Sequence, residues 1–350
     1  MKKYLHLGYP KNFSTSLQRN FFCAHKDIYH LGIGIGSNVG YRDQVFSSLF
    51  EVYLKSAKGF KYNEQKERLK KHIDLHYNKA LNEGKKCFGA SSEHFSFGFT
   101  YESLDFQTKI DRAIDLFGRD ELNIIIVIRN QLDLIRSLYR ESVRVGLPMA
   151  FDQFLYSLYK FQDRNYLYDL RYDLVYRALT DRLAKENIHF LIFEDLRDEH
   201  KNMVEIDGKV LLIDKVSNAL EIDYLDVKFK HLNEALSDQE IILKSELNKD
   251  LRHDLGREML FSAEIHRQSD YFKNELNLHE PEEVVYEDVL TKRKLLEEAK
   301  RRKQEVSGKL DYQVDPALAK WMEDFYINGN KEFSKLSNID LHEKYLNLTF

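Results

Sequence analysis

The chain reads as an α/β protein with a mainly parallel central sheet and flanking helices. Three observations predict this. Two runs, ELNIIIVIRN at 121–130 and Ile188–Phe193, are apolar nearly throughout and bounded by polar residues, the pattern of strands buried on both faces. Helix-periodic segments separate these runs from each other and from the shorter apolar segments upstream, so strands alternate with helices. The composition, 43% apolar and 31% charged with 4 prolines and 15 glycines in 350 residues, supplies a large core and little flexible linker.

The elements follow in order. Tyr4–Gly8 is a short strand that runs through Gly8-Tyr9-Pro10 into a loop, and SLQRNFF from Ser16 is helical. Phe50–Leu81 is helical and lysine-rich, with His72 and His76 on a face expected to be solvated. Lys86–Phe95 reads as a strand ending in a polar loop, followed by a helix near Gln107–Phe117. After the 121–130 strand, Leu132–Val145 and Phe151–Glu186 are helical, and the Ile188–Phe193 strand ends at Glu194-Asp195-Leu196. From Asp226 to Glu305 the chain is highly charged, almost free of glycine and proline, and helical in spacing. The expected organisation is a core at 1–225, a helical insertion or arm at 226–305, and a segment at 306–350 that returns to the core. The arm reads either as a solvated helix pair or as a surface for homo-oligomer formation or substrate covering.

Charge and cysteine usage narrow the function. With 53 basic and 57 acidic residues the net charge is −4, so no general nucleic-acid or anionic-membrane binder is expected. Two cysteines, Cys23 and Cys87, cannot build a disulfide framework or a four-thiolate zinc site, which suggests a reduced, cytoplasmic protein. The N-terminus has no signal-peptide pattern. The most apolar window, Ile124–Ile128, is far shorter than the roughly 20 residues that span a bilayer.

Two segments carry candidate chemistry. In HLGYPKNFSTSLQ (6–18), a strand, a tight turn, a lysine and three hydroxyl residues lead into a helix. Backbone N–H groups, the helix dipole and hydroxyl donors there suit an anion, although an ordinary capped helix has the same pattern. A Walker A loop counted from Gly8 would need glycine at Phe13 and lysine at Ser14, so that motif is absent. In VIRNQLDLIRSLYR (127–140), Arg129 ends a buried strand and Ser137 lies about two turns into the next helix. A guanidinium and a hydroxyl so placed can grip a phosphate; the alternative is an arginine capping a sheet edge. GIGIGSNVG (32–40) fails the dinucleotide spacing at Ser37 and Val39 and reads as a loop near the acceptor or a plain turn.

Together the two segments resemble sulfotransferases that use 3′-phosphoadenosine 5′-phosphosulfate (PAPS), which leave 3′-phosphoadenosine 5′-phosphate (PAP). The family's first loop typically reads Pro-Lys-Thr-Gly-Thr-Thr-Ser-Leu-Gln. Here it is Pro10-Lys11-Asn12-Phe13-Ser14-Thr15-Ser16-Leu17-Gln18. The family's Arg-Asn-Pro-x-Asp-x-x-x-Ser-x-Tyr is matched by Arg129, Asn130, Asp133, Ser137 and Tyr139. Phe193–Leu196 (FEDL) is similar to a Tyr-Glu-Asp-Leu segment, and the tail around Asn330, Asp340, Leu341 and Tyr345 resembles that of bacterial members. The likeness covers residues 4 to about 200 and 306–345, with gaps. Phe13 replaces the usual glycine and Gln131 the usual proline, so the loop either needs no positive φ at Phe13 or has another shape.

The resemblance implies a P-loop-like fold, PAPS as donor, and a hydroxyl acceptor such as a glycan or similar polyol. It places the 5′-phosphosulfate on Lys11, Asn12, Phe13, Ser14, Thr15, Ser16 and Leu17, and the 3′-phosphate on Arg129 and Ser137. Lys309, in SGKLDY, would reach the nucleotide from a C-terminal loop. Lys11 suits the leaving oxygen as a mobile point charge. Sulfotransferases use a histidine or a glutamate as base, which here selects Glu93 first and His94 second. Glu194 and Asp195 are expected to orient loops. The transferred group is singly charged, so the chemistry requires no metal. Two competing readings are a nucleotide-dependent phosphotransferase on the same fold and a non-catalytic scaffold, the latter kept open by Phe13.

Overall fold

The computed structural model describes residues 1–33, 59–98, 104–200, 202–227, 236–249 and 293–350. Five strands form one all-parallel sheet: β1 (Lys2–Leu7), β2 (Ile28–Ile33), β3 (Cys87–Ser92), β4 (Leu122–Ile128) and β5 (Ile188–Ile192), in the order β2-β3-β1-β4-β5. β1 is central, and every C-terminal strand end opens on the same edge. Side chains alternate across it: Leu5, Leu7, Ile124, Ile126 and Ile128 enter one apolar cluster, and Tyr4, Ile125, Val127 and Leu191 the other. A sheet buried on both faces is what the uninterrupted apolar run at 124–128 requires.

The main helices are α1 (Ser14–Leu17), continued by a π-turn at Gln18–Phe22, α2 (Gly59–Asn82), α3 (Phe106–Phe117), α4 (Gln131–Arg144), α5 (Phe151–Lys160), α6 (Tyr172–Thr180), α7 (Leu211–Leu220), α8 (Asp238–Asn248) and α9 (Pro316–Ser337). No helix among the described residues is long and apolar enough to cross a membrane.

Several elements differ from the sequence reading. β2 was not expected, because Tyr29 and His30 interrupt its apolar run; both are buried, and the Tyr4 hydroxyl meets His30 Nδ1 at 2.7 Å. The helical stretch 151–186 is broken. Asn165 turns its amide onto the carbonyls of Leu158 and Phe161 and accepts from the Leu167 amide, which ends α5. The short antiparallel pair Glu205–Ile206 and Lys209–Val210 and helix α7 were also unanticipated. His76 is not solvated: it is buried, with Nδ1 2.8 Å from the Tyr29 hydroxyl. Of the 32–40 glycine segment, residues 34–40 lie outside the described residues.

Within 226–305 the described residues form helices at 238–248 and 293–302 and contain no strand. α8 packs on α4, with the Asn248 amide on the carbonyls of Val143 and Leu147 and Asp238 paired with Arg140 at 2.6 Å. The C-terminal segment joins the same neighbourhood. Gln131 and Asn330 form a reciprocal amide pair at 2.7 and 3.0 Å, so the residue in place of proline pins the start of α4 to α9.

Candidate functional site

The loop after β1 lies at the sheet's central C-terminal edge. Its first constraint is Gly8, where a Cβ would stand 2.5 Å from Ser14 Oγ, so the chain folds back on itself only with glycine there. The Gly8 amide donates to the Ser92 carbonyl (3.2 Å) and the Ser96 hydroxyl to the Gly8 carbonyl (2.8 Å), which ties this loop to the one after β3. Asn12 is fully buried, and its amide donates to the Val127 carbonyl of β4 at 2.9 Å. The Ser14 hydroxyl turns inward onto the Tyr9 carbonyl at 3.0 Å. Asn12 and Ser14 therefore shape the loop with their side chains, while Thr15 and Ser16, half-buried in the first turn, make no side-chain hydrogen bond among the described residues. Leu17 is core. The first-turn amides have no intrahelical partner and are the loop's donors.

Phe13 has a positive φ of 63° and Lys11 one of 65°. Of the two alternatives left by the sequence, a loop that needs no positive φ at Phe13 is therefore excluded. A left-handed non-glycine residue costs about 1–2 kcal/mol. Contacts of the ring offset this. Phe13 stacks on Phe193 at 4.6 Å with an 18° interplanar angle, and Arg197 lies 5.1 Å from its centroid. Such contacts contribute roughly 0.5–2 kcal/mol each.

The Lys11 ammonium is not held by the loop amides. It reaches α4, where it pairs with Glu141 at 2.7 Å; Arg144 takes the other carboxylate oxygen. Burial alone would raise the Glu141 carboxyl, but Arg144 and Lys11 outweigh it and hold the group below the usual carboxylate range.

Arg129 follows β4 directly. Its guanidinium lies 4.6 Å from the Phe193 ring centroid and donates weakly to the Lys11 carbonyl at 3.4 Å. Burial lowers its pKa, and it has no carboxylate within 4.0 Å among the described residues. Asp133 and Glu194 act on it from further away, but both are held by Lys344, at 3.2 and 3.1 Å. Glu194 also accepts from the Asn130 amide and the Tyr345 hydroxyl, an orienting role as expected. Ser137 is half-buried on α4, one turn before Glu141.

Glu93 and His94 begin the 3₁₀ turn Glu93–Phe95 immediately after β3, with Ser92 capping the His94 amide at 3.1 Å. Ser92 is in register with Leu7, so the pair emerges level with Gly8. Lys309 is exposed beside Asp238, and no bond joins it to Lys11 or Arg129 among the described residues. Arg197 was missed by the sequence reading. It stands directly behind the FEDL segment, but only the folded chain brings it over Phe13.

No protein-family profile matches the chain, and no curated protein is significantly similar to it in sequence. Among solved structures it is similar to the crystal structure of a sulfotransferase from Alicyclobacillus acidocaldarius, at 12% identity and a TM-score of 0.51 over 99% of both chains. This whole-chain likeness shows that the protein has a sulfotransferase fold.

Proposed function

We propose that the protein is a PAPS-dependent sulfotransferase acting on a hydroxyl of a glycan or similar polyol. The observation that carries this reading is the meeting, at adjacent strand ends, of an amide-rich loop and a half-buried guanidinium that has no carboxylate within 4.0 Å among the described residues. A nucleotide carrying both a 5′-phosphosulfate and a 3′-phosphate satisfies the two together, and Arg129 Nε, buried and without a hydrogen-bond partner, is an unused donor for the 3′-phosphate.

In this reading the loop amides with Thr15 and Ser16 hold the 5′-phosphosulfate, and Arg129 and Ser137 hold the 3′-phosphate. Asn12, Phe13, Ser14 and Leu17 set the loop's shape, and Lys309 serves at most at the nucleotide's rim. Glu93, or failing that His94, accepts the proton of the acceptor hydroxyl. The acceptor oxygen bonds to sulfur as the bond from sulfur to the 5′-phosphate oxygen breaks, in line. Lys11 exchanges Glu141 for the leaving oxygen as negative charge grows there. Cys87 is buried and Cys23 exposed without a disulfide, which fits a reducing, cytoplasmic setting. The 226–305 stretch is proposed as an insertion that covers the acceptor side or receives a second copy of the chain.

Calorimetric titration with PAP and with ATP tests the reading. Tight PAP and weak ATP binding is the expected result. The reverse would make the protein a phosphotransferase, and binding of neither a scaffold.

A further inference from the structure

Arg129 and Arg197 flank one aromatic stack. Phe193, at the end of β5, carries Arg129 at 4.6 Å and Arg197 at 5.6 Å, and Arg197 also lies 5.1 Å from the Phe13 centroid. The main chain fixes Arg197: it forms an isolated antiparallel bridge with Met203, and the Val204 amide donates to the Leu196 carbonyl next to it. Neither arginine has a carboxylate within 4.0 Å among the described residues, and the Nε of each is buried without a hydrogen-bond partner. Burial depresses the pKa of Arg197, and the positive charge of Arg129 depresses it further. Two guanidiniums that share the Phe193 ring without a carboxylate beside them repel each other, and ring faces compensate only part of the lost hydration. Arginine forks match a phosphate dianion in both charge and geometry.

We propose that Arg197 is a second guanidinium of the phosphate site, closing with Arg129 on one phosphomonoester dianion, the 3′-phosphate of the nucleotide. The identity of that phosphate rests on the sulfotransferase reading; the two-guanidinium site rests on the stack alone. Phe13 acquires a role in this arrangement. Its ring, where the usual loop has glycine, is part of the platform that holds Arg197.

The test is calorimetry on the full chain with PAP and with adenosine 5′-monophosphate, which lacks the 3′-phosphate. R197M, which keeps an apolar contact with the rings, is expected to weaken PAP about 10- to 100-fold while shifting adenosine 5′-monophosphate less than about threefold. R197K, which keeps the charge but not the fork, is expected to lose part of the PAP affinity. Thermal melts establish that each variant is folded; if R197M is not, R197K decides, with an unchanged PAP affinity overturning the proposal. Wild-type PAP affinity in folded R197M, with the loss confined to R129M, would reduce Arg197 to a packing residue and leave the proposed function standing. Equal losses for both nucleotides would overturn the assignment to the 3′-phosphate. If the wild type binds no PAP, the sulfotransferase reading itself fails. Inorganic pyrophosphate then decides the site: weaker binding by R197M supports it, and unchanged binding overturns it.

Discussion

Lys11 and Arg129 sit at neighbouring strand ends, and both are candidates to meet the same nucleotide, yet the protein treats their charges differently. Lys11 is a third exposed and already paired with Glu141, on a carboxylate that Arg144 shares. Arg129 is partly desolvated, stacked on Phe193 and without a carboxylate within 4.0 Å among the described residues, where Lys344 holds both acids that act on it. A partly exposed, paired lysine contributes little to stability and can change partners at small cost. A desolvated guanidinium is fixed before any ligand arrives, so an anion gains its full charge-assisted contact there. Under the proposed function, the difference gives the 3′-phosphate to the strand ends of β4 and β5, and the charge that moves during the reaction to Lys11 of the β1 loop.

The largest expected effect tests whether the reacting side belongs to this division at all. Substituting Glu93 with Gln and His94 with Asn, singly, should lower turnover about 10²–10⁴-fold in one case only, with PAP affinity intact. Full activity in both variants would place the base elsewhere. The next variant attacks the comparison directly. Lys11→Ala should slow single-turnover sulfuryl transfer ~10²-fold or more, a loss of about 2.7 kcal/mol, while PAP affinity falls much less. Equal losses in both would make Lys11 a plain binding residue and erase its contrast with Arg129. Arg129→Ala should do the opposite, weakening PAP by roughly 10- to 150-fold in titration. An unchanged affinity would remove Arg129 from the phosphate site.

The smallest effect concerns stability. Glu141 is depressed below its ordinary value of 4.5, so its contribution is complete above that value and is lost as pH falls through the folded-state pKa. The Tm gap between the wild type and Glu141→Gln should therefore narrow on acidification below about pH 4.5. A gap that stays constant would mean that the Lys11–Glu141–Arg144 cluster does not stabilise the fold.

Much of this architecture was legible in the chain. β1, β3, β4 and β5 were readable as short segments rich in apolar residues, clearest in the five consecutive apolar residues Ile124–Ile128, because strands buried on both faces need such runs. β2 was hidden because its polar members, such as His30, are satisfied by partners distant in sequence. The order of residues 10–18 and 129–139 also brought out the phosphate-binding resemblance, since a loop and the helix after it are local structures with fixed spacing. Charge partners were not legible. Glu141 follows Lys11 by 130 positions and Arg197 follows Phe13 by more, and nothing in either neighbourhood encodes the other. Nor could the sequence tell that Phe13 would adopt a glycine's φ, because the stack that offsets the strain comes from the end of β5. The sequence alone determined the fold class, four of the five parallel strands and the two candidate anion-binding segments, which depend on local pattern and spacing. Only the tertiary structure decided which charges are paired and which have no carboxylate beside them, because Coulomb and desolvation energies depend on distance in space and on burial.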